Sequence, residues 1–358
     1  MTRDPAAVLD DLVASGRDPG CAVAVVRDGV IELDHAAGTV DGRHPWTSDT
    51  LVMTYSVAKP FAALAVLDAV AEGALALDTT VASVWPQYAV AGKGGTTVRH
   101  VLSHQAGLPS FGERAHALAY DDRETLVALL AGATPVHVPG RAVAEHALTY
   151  GHLLDEVLRR ATGDDLAERF ARIASAAGWD LYLRVPEDDL ARVATVEEVG
   201  PTWRSDYERD PRWGPAMGRP PGLLDPEVLN SERFRRTSFP AVALHASALA
   251  LARFYDDVRR PDGLVAQRLG HETWRAYLEP AAAGRDLVLD REVVWTLGFQ
   301  REEEDGRLEI GMGGAGGCSA WTEPGAGYGA AFVSRGLGRH DRGGDVWEAV
   351  RRAYVARP

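Results

Sequence analysis

"TYSVAKPFAALAVL", residues 54–67, is an apolar stretch broken by one hydroxyl, Ser56, and one ammonium, Lys59. Residues 56 to 72 read as a helix that is apolar on nearly every face, hence central and buried. Pro60 fits such a helix, because first-turn amides have no intrahelical acceptor to lose. Ser56 and Lys59 stand at i and i+3, on one face and within side-chain reach. A helix N-terminus offers partial positive charge to a developing alkoxide, and burial lowers a lysine pKa, so that the neutral amine becomes a usable base. That is nucleophilic catalysis without histidine. The competing reading is a capping serine and a snorkelling lysine, and the spacing alone leaves the two level.

Composition bears on the choice. Of 38 basic residues only Lys59 and Lys93 are lysine, leaving 36 arginines. Arginine stays protonated in a protein, whereas a desolvated lysine can lose its proton, so a lysine kept beside a serine on an apolar helix stands out. A net charge of −13 and a pI near 5.3 argue against nucleic-acid or anionic-membrane partners. The N-terminal "MTRDPAAVLDDLVASGRDPG" carries acids where a secretion signal needs an apolar core. The longest apolar run, residues 60 to 71, is too short to span a bilayer. Cys21 and Cys318 form neither a disulfide framework nor a zinc spacing. The expectation is a cytoplasmic globular protein.

Outward from the helix, "CAVAVVRDGVIELDHAAGTV" (21–40) reads as two strands about an Asp28-Gly29 turn. From residue 76 to 235 the text is helical with long loops, and "TYGHLLDEVLRRATG" (149–163) is its clearest amphipathic helix, closed by Gly163. The Pro- and Trp-rich stretch 200–226 reads as a long structured loop. "SALALARFYDDVRR" (247–260) is helical, residues 295–336 alternate strand-like runs with Gly turns, and "GGDVWEAVRRAYVA" (343–356) closes as a helix. Strands first, helices in the middle and strands last predict an α/β fold: an antiparallel sheet built from both termini and flanked by helices, plus a helical insertion domain. The boundaries fall at 1–75 with 236–358 for the sheet domain and 76–235 for the helical one, with a cleft between.

Other motifs carry less. "GMGGAGG" (311–317) contains G-x-G-x-x-G at Gly311, Gly313 and Gly316, but no helix follows and Arg335 stands where an acid is needed, so a dinucleotide site is rejected. A glycine-rich strand that lets another backbone or a ligand approach closely survives. His100 and His104, at i and i+4, have no obvious third ligand and read as turn residues rather than a metal site. Cys318 reads as a small buried hydrophobe, and the absence of G-x-S-x-G disfavours an α/β-hydrolase.

At this point the residues resemble a known family. Ser56-x-x-Lys59 is followed in order by "WPQY" (85–88), "AGK" (91–93), "LSHQAGLP" (102–109), "EHALTYGHLLDEVLRRATG" (145–163), "RTSFPAVALHASALALARFY" (236–255) and "GMGGAGG". Together, over residues 18 to 335, they resemble the β-lactamase-related serine hydrolases: class C β-lactamases, D-stereospecific peptidases and, nearest, penicillin-binding-protein-like esterases. The resemblance implies a β-lactamase/transpeptidase-like fold, with Ser56 as nucleophile, Lys59 beside it and oxyanion donors at the Ser56 and Ala315 N–H groups. It requires no cofactor and no metal.

Two positions depart from the pattern. Where the family carries a proton-shuttling tyrosine, this chain has Glu145, followed by the expected His146. Where the family's glycine-rich strand carries His or Lys, it has Met312, then Gly313 and Gly314; a thioether neither donates a proton nor carries charge. Cys318 stands where a serine is frequent, and Ala243-Leu244 replaces an Asn-Gly. Glu145 has two readings: a clamp that holds Lys59 protonated, or a carboxyl whose pKa rises in an apolar cleft until it serves as the base. The functional expectation is an acyl-enzyme hydrolase or acyltransferase acting at Ser56 on a small ester or amide, with Glu145, Met312, Gly313, Gly314, Ala315 and His146 lining the site. The alternative is a non-catalytic member whose cleft binds a ligand or partner, and an acyl transfer to an amine is a third reading. β-Lactam turnover is not expected, because Met312 offers no cation for a substrate carboxylate.

Overall fold

Asp28 and Gly29 take φ values of 50° and 79°, the pair of left-handed residues that a two-residue hairpin turn requires. They fold strand β1 (Gly20–Arg27) onto β2 (Val30–Gly38). The computed structural model describes residues 4–200 and 202–354. In it β1 also pairs antiparallel with the last long strand of the chain, Tyr328–Ser334, with Cys21 opposite Ser334 and Val26 opposite Gly329. The sheet therefore joins both ends of the sequence, as the strand-helix-strand order predicted.

Between these ends come β3 (Ala282–Arg285), β4 (Glu292–Trp295), β5 (Gln300–Glu304), β6 (Arg307–Gly313) and β7 (Ser319–Glu323), with Tyr328–Ser334 as β8. The order is β2-β1-β8-β7-β6-β5-β4-β3, antiparallel throughout. β1 is apolar without alternation because both its faces are covered. Cys21, Val23 and Val25 pack with Val8, Leu9 and Leu12 of α1 (Pro5–Ala14) and with Val346 and Val350 of the C-terminal helix Asp341–Ala353. Ala22, Ala24 and Val26 face the main core.

That core surrounds α2 (Lys59–Ala71), which follows a 3₁₀ turn at Ser56–Ala58 and is buried from Lys59 through Ala69. Its neighbours are α3 (Thr149–Thr162), α4 (Leu166–Ala177) and, later in the chain, the helix Leu264–Leu278. Phe61 sits 5.5 Å from Phe170 and 4.5 Å from Phe254, ring centre to ring centre. Asp68, the acid inside the apolar run, is buried against Arg169 (2.5 Å) and Arg268 (2.6 Å), so the charge is paired as burial demands. The helix meets the sheet through β6, whereas the inner faces of β1 and β8 are covered mainly by the helix Ala248–Val258.

The stretch 200–226 departs from expectation. It is not one loop but holds α5 (Trp203–Arg209) and α6 (Trp213–Met217); Pro201 lies outside the described residues. Repeated prolines hide the helical period there, and α5 ends just before Pro211. The helices Ala248–Val258, Leu264–Leu278 and Asp341–Ala353 are α7, α8 and α9. The predicted closing helix ran to 356, and its last two residues lie outside the described ones. Short strands tie the middle of the chain back to the sheet side: Val52–Met53 with His245–Ala246 and Leu181–Tyr182, and Gly336–Leu337 with Glu197–Glu198. No helix among the described residues is long and apolar enough to cross a membrane.

Candidate active site

The chain enters α2 through a forced turn. Thr54 N–H donates to Leu244 O at 2.9 Å, and the next residue, Tyr55, takes φ 52° and ψ −130°. A side chain in that region costs about 1–3 kcal/mol, which the surroundings must offset. Here the Tyr55 hydroxyl donates to Leu223 O (3.0 Å) and its carbonyl accepts from Ala58 N–H (2.9 Å). The turn sets Ser56 at the floor of a cavity of about 450 Å³.

Lys59 stands directly behind Ser56. It is 0% exposed, and its Nζ donates to Ser56 Oγ at 2.6 Å. Glu145 Oε1 lies 3.3 Å from the same Nζ and is 3% exposed. Burial lowers the Lys59 pKa, opposed by the Glu145 charge; burial raises the Glu145 pKa, opposed by Lys59 and reinforced by Asp286. Ser56, Lys59 and Glu145 thus form one contact chain, of which Ser56 and Glu145 reach the cavity while Lys59 does not.

Glu145 is held from behind by groups the sequence did not flag. Asp286, fully buried, accepts the Glu145 N–H (3.0 Å), the Val288 and Leu289 N–H groups (2.8 and 3.0 Å) and the Trp295 indole (3.2 Å). It lies 141 residues from Glu145 in sequence, so spacing gave no signal. His146 was expected to line the cleft; instead it is buried behind it. Its Nε2 accepts Leu108 N–H (3.1 Å), and its own N–H donates to His104 Nδ1 (3.0 Å). Burial pulls the His146 pKa down to about 3 and that of His104 well below its usual value. Both are neutral braces that fix the loops on which Glu145 sits. His100 caps its own short helix, Nδ1 accepting from Thr97 N–H (3.2 Å) while Thr97 Oγ1 accepts from His100 N–H (3.2 Å).

The opposite wall is the glycine-rich segment. It is strand β6 followed by a tight turn, with Gly317 N–H bonded to Gly314 O (2.8 Å) and Gly314 N–H to Cys318 O (2.7 Å). A Cβ on Gly314 would lie 2.1 Å from Thr54 O, so only glycine lets this turn rest against the backbone entering Ser56. Met312, Gly313, Gly314 and Ala315 all line the cavity. Cys318 does not; its thiol exchanges hydrogen bonds with the Ser334 backbone, and burial pushes its pKa up to about 11. Further lining comes from Tyr207 and Trp213 of the 200–226 stretch and from Trp321. Arg291 and Arg351 also line it, each beside an acid: Glu302 at 3.4 Å and Glu309 at 2.5 Å.

A buried Ser-Lys pair at the start of the central helix thus faces a glycine turn across the cavity. The sequence model of the beta-lactamase family matches residues 6–354; the chain belongs to that family and is by class a hydrolase. It is 29% identical over 350 residues to the esterase/beta-lactamase LipL of Mycobacterium tuberculosis, covering 89% of this chain and 77% of that one. Among solved structures it is similar to a penicillin-binding protein homologue from Caulobacter crescentus (29% identity, TM-score 0.81, 97% and 95% coverage). It is also similar to a family VIII carboxylesterase (26% identity, TM-score 0.82, 98% of each chain).

Proposed function

We propose that the protein is a serine hydrolase that forms an acyl-enzyme at Ser56 on a small neutral ester or amide. The observation that carries this reading is the 2.6 Å contact between Ser56 Oγ and a fully buried lysine whose only ionic partner is Glu145, among the described residues. The pair Lys59 and Glu145 shares one proton, drawn in the reactive form as a neutral amine and a carboxylic acid. Ser56 Oγ passes its proton to Lys59 Nζ and bonds to the substrate carbonyl carbon. The oxyanion is received by backbone N–H groups, by resemblance those of Ser56 and Ala315. As the adduct collapses, the bond to the leaving oxygen or nitrogen breaks and Glu145, which reaches the cavity, supplies the proton. Acyl-Ser56 is left beside ionised Glu145 and protonated Lys59. Water then attacks the acyl carbon, Glu145 takes its proton, Lys59 returns a proton to Ser56 Oγ, and the carboxylic acid leaves. The cycle closes with every proton accounted for, and Glu145 does the work of both acid and base.

The cavity supports a neutral substrate. Its walls are Tyr207, Trp213, Trp321 and Met312, and its arginines already stand beside glutamates. The test is intact mass after a fluorophosphonate, with turnover of a small activated ester in parallel. Wild type is expected to gain one adduct and Ser56→Ala none; an unlabelled wild type sinks the acyl-enzyme reading and leaves the cleft as a binding site with Lys59 clamped by Glu145.

A further inference from the structure

The Ala315 carbonyl is held by two side chains from a helix distant in sequence. Trp203 Nε1 donates to Ala315 O at 3.0 Å and the Tyr207 hydroxyl donates to the same oxygen at 3.3 Å. The two donors stand at i and i+4 on α5, one face of one helix. Trp203 is buried, and its ring lies 6.0 Å from that of Tyr55, the residue before the nucleophile. Tyr207 packs between Trp203 (5.6 Å) and Trp213 (5.5 Å). The flanking carbonyls are held as well, Gly314 O by Gly317 N–H and Gly316 O by Gly338 N–H (3.2 Å) and Arg342 Nη2 (3.1 Å). The Ala315 N–H, by contrast, has no hydrogen-bond partner among the described residues, and Ala315 lines the cavity.

We propose that Trp203 and Tyr207 are positioning residues for the oxyanion site, converging on the Ala315 carbonyl so that the Ala315 N–H is held toward Ser56. The inference rests on the acyl-enzyme reading above. A turn of small residues has little stiffness of its own, and an oxyanion donor acts only when it is fixed before charge develops. Two donors on one acceptor supply that stiffness, and each suffices in part without the other. This redundancy is the signature to look for. Trp203 does not line the cavity and Tyr207→Phe keeps the ring that does, so these changes leave ground-state binding largely alone.

The experiment pairs kinetics with a readout that needs no turnover. Tyr207→Phe and Trp203→Phe are each expected to lower kcat about two- to fivefold with KM little changed. The double variant is expected to lose on the order of 10²-fold, more than the product of modest single effects, because the shared acceptor is freed only when both donors are gone. In parallel, the backbone order parameter of Ala315, by NMR on uniformly labelled protein, should fall from the rigid range (about 0.85) toward about 0.6 in the double variant, while that of Gly329 in β8 stays put. An unchanged Ala315 order parameter in the double variant overturns the proposal, as do losses confined to KM. Should Trp203→Phe fold poorly, Tyr207→Phe, which removes one hydroxyl and keeps the ring, must still lower kcat with KM unchanged. If the wild type takes no fluorophosphonate, the acyl-enzyme reading fails on its own, and the NMR arm alone decides whether α5 holds the turn.

Discussion

Glu145 and Lys59 titrate as a unit, and their environments push them toward each other. Glu145 is raised from 4.5 and Lys59 lowered from 10.5, in both cases first by burial. In the proposed cycle the pair is active while it holds one proton. Acid adds a second and leaves Lys59 unable to receive the serine proton; base removes the last and leaves no acid for the leaving group. The bell of kcat/KM against pH should therefore be narrower than 4.5 to 10.5 at both ends. Glu145→Gln should nearly abolish turnover and remove the basic limb, since no acid is left to lose, while the residual activity rises with pH as Lys59 gives up its proton; an unchanged profile would exclude Glu145 from the chemistry. Lys59→Arg should cost about 10³-fold or more in acylation rate despite conserving charge, because guanidinium offers no neutral base; an active arginine variant would make Lys59 a fixed charge only. At this scale the sequence was legible where partners are local. Ser56 and Lys59 are three residues apart, and Glu145 stood out by its place before α3. Asp286, Trp203 and Tyr207 were not legible, because they reach the site from 141, 112 and 108 residues away from the groups they hold, and a buried aspartate or aromatic reads like any other in a linear text.

Among elements, the 314–317 turn rests close against the strand entering α2. Gly314→Ala would place its Cβ 2.1 Å from Thr54 O, a backbone atom that cannot rotate away. The turn must back off, carrying Ala315 with it, and a displacement near 1 Å is enough to cost about 10²-fold in rate. The expected outcome is a large loss of esterase turnover with a small change in melting temperature; unchanged kinetics would show that the turn has slack. Elements with strong local signals were legible: the Asp28-Gly29 hairpin, α2, and α3 with its left-handed Gly163 cap. α5 and α6 were not, since they are short, lie between prolines and hold too few apolar residues to show a helical period. α1 begins on an Asp4 cap and Pro5, a local start signal.

Over the whole molecule, the two ends of the chain are locked by charge as well as by β-pairing. Asp18, just before β1, is buried 2.5 Å from Arg342 of α9, which also donates to Gly336 O at 2.7 Å. Arg342→Met would leave Asp18 buried without its cation, a change of about 3–5 kcal/mol in unfolding free energy by urea titration, and adding Asp18→Asn should recover part of it. A loss under 1 kcal/mol would mean that water reaches Asp18. The order of strand, helix and strand made a sheet built from both termini legible, yet the strand order was not. Which edge β2 and β3 occupy depends on pairings across some 300 residues, and those are settled by packing on α7, α1 and α9 rather than by any local pattern.

The burial of both lysines has a consequence for reagents as well as for the reaction. Lys59 and Lys93 are the only lysines in the 358 residues, and each is 0% exposed. Lys93 donates to Val90 O (3.1 Å) and Ala133 O, and its ammonium sits 5.1 Å from the centre of the Tyr88 ring. The folded protein thus presents no side-chain amine to solvent. A succinimidyl ester should leave both lysines unmodified in buffer and modify both in denaturant, so that uptake at lysine, read by peptide mapping, counts unfolded molecules. Lysine modification of the native protein would mean that one of these pockets opens. For a protein proposed to handle activated acyl groups, the same feature means that its own surface offers no lysine to intercept them.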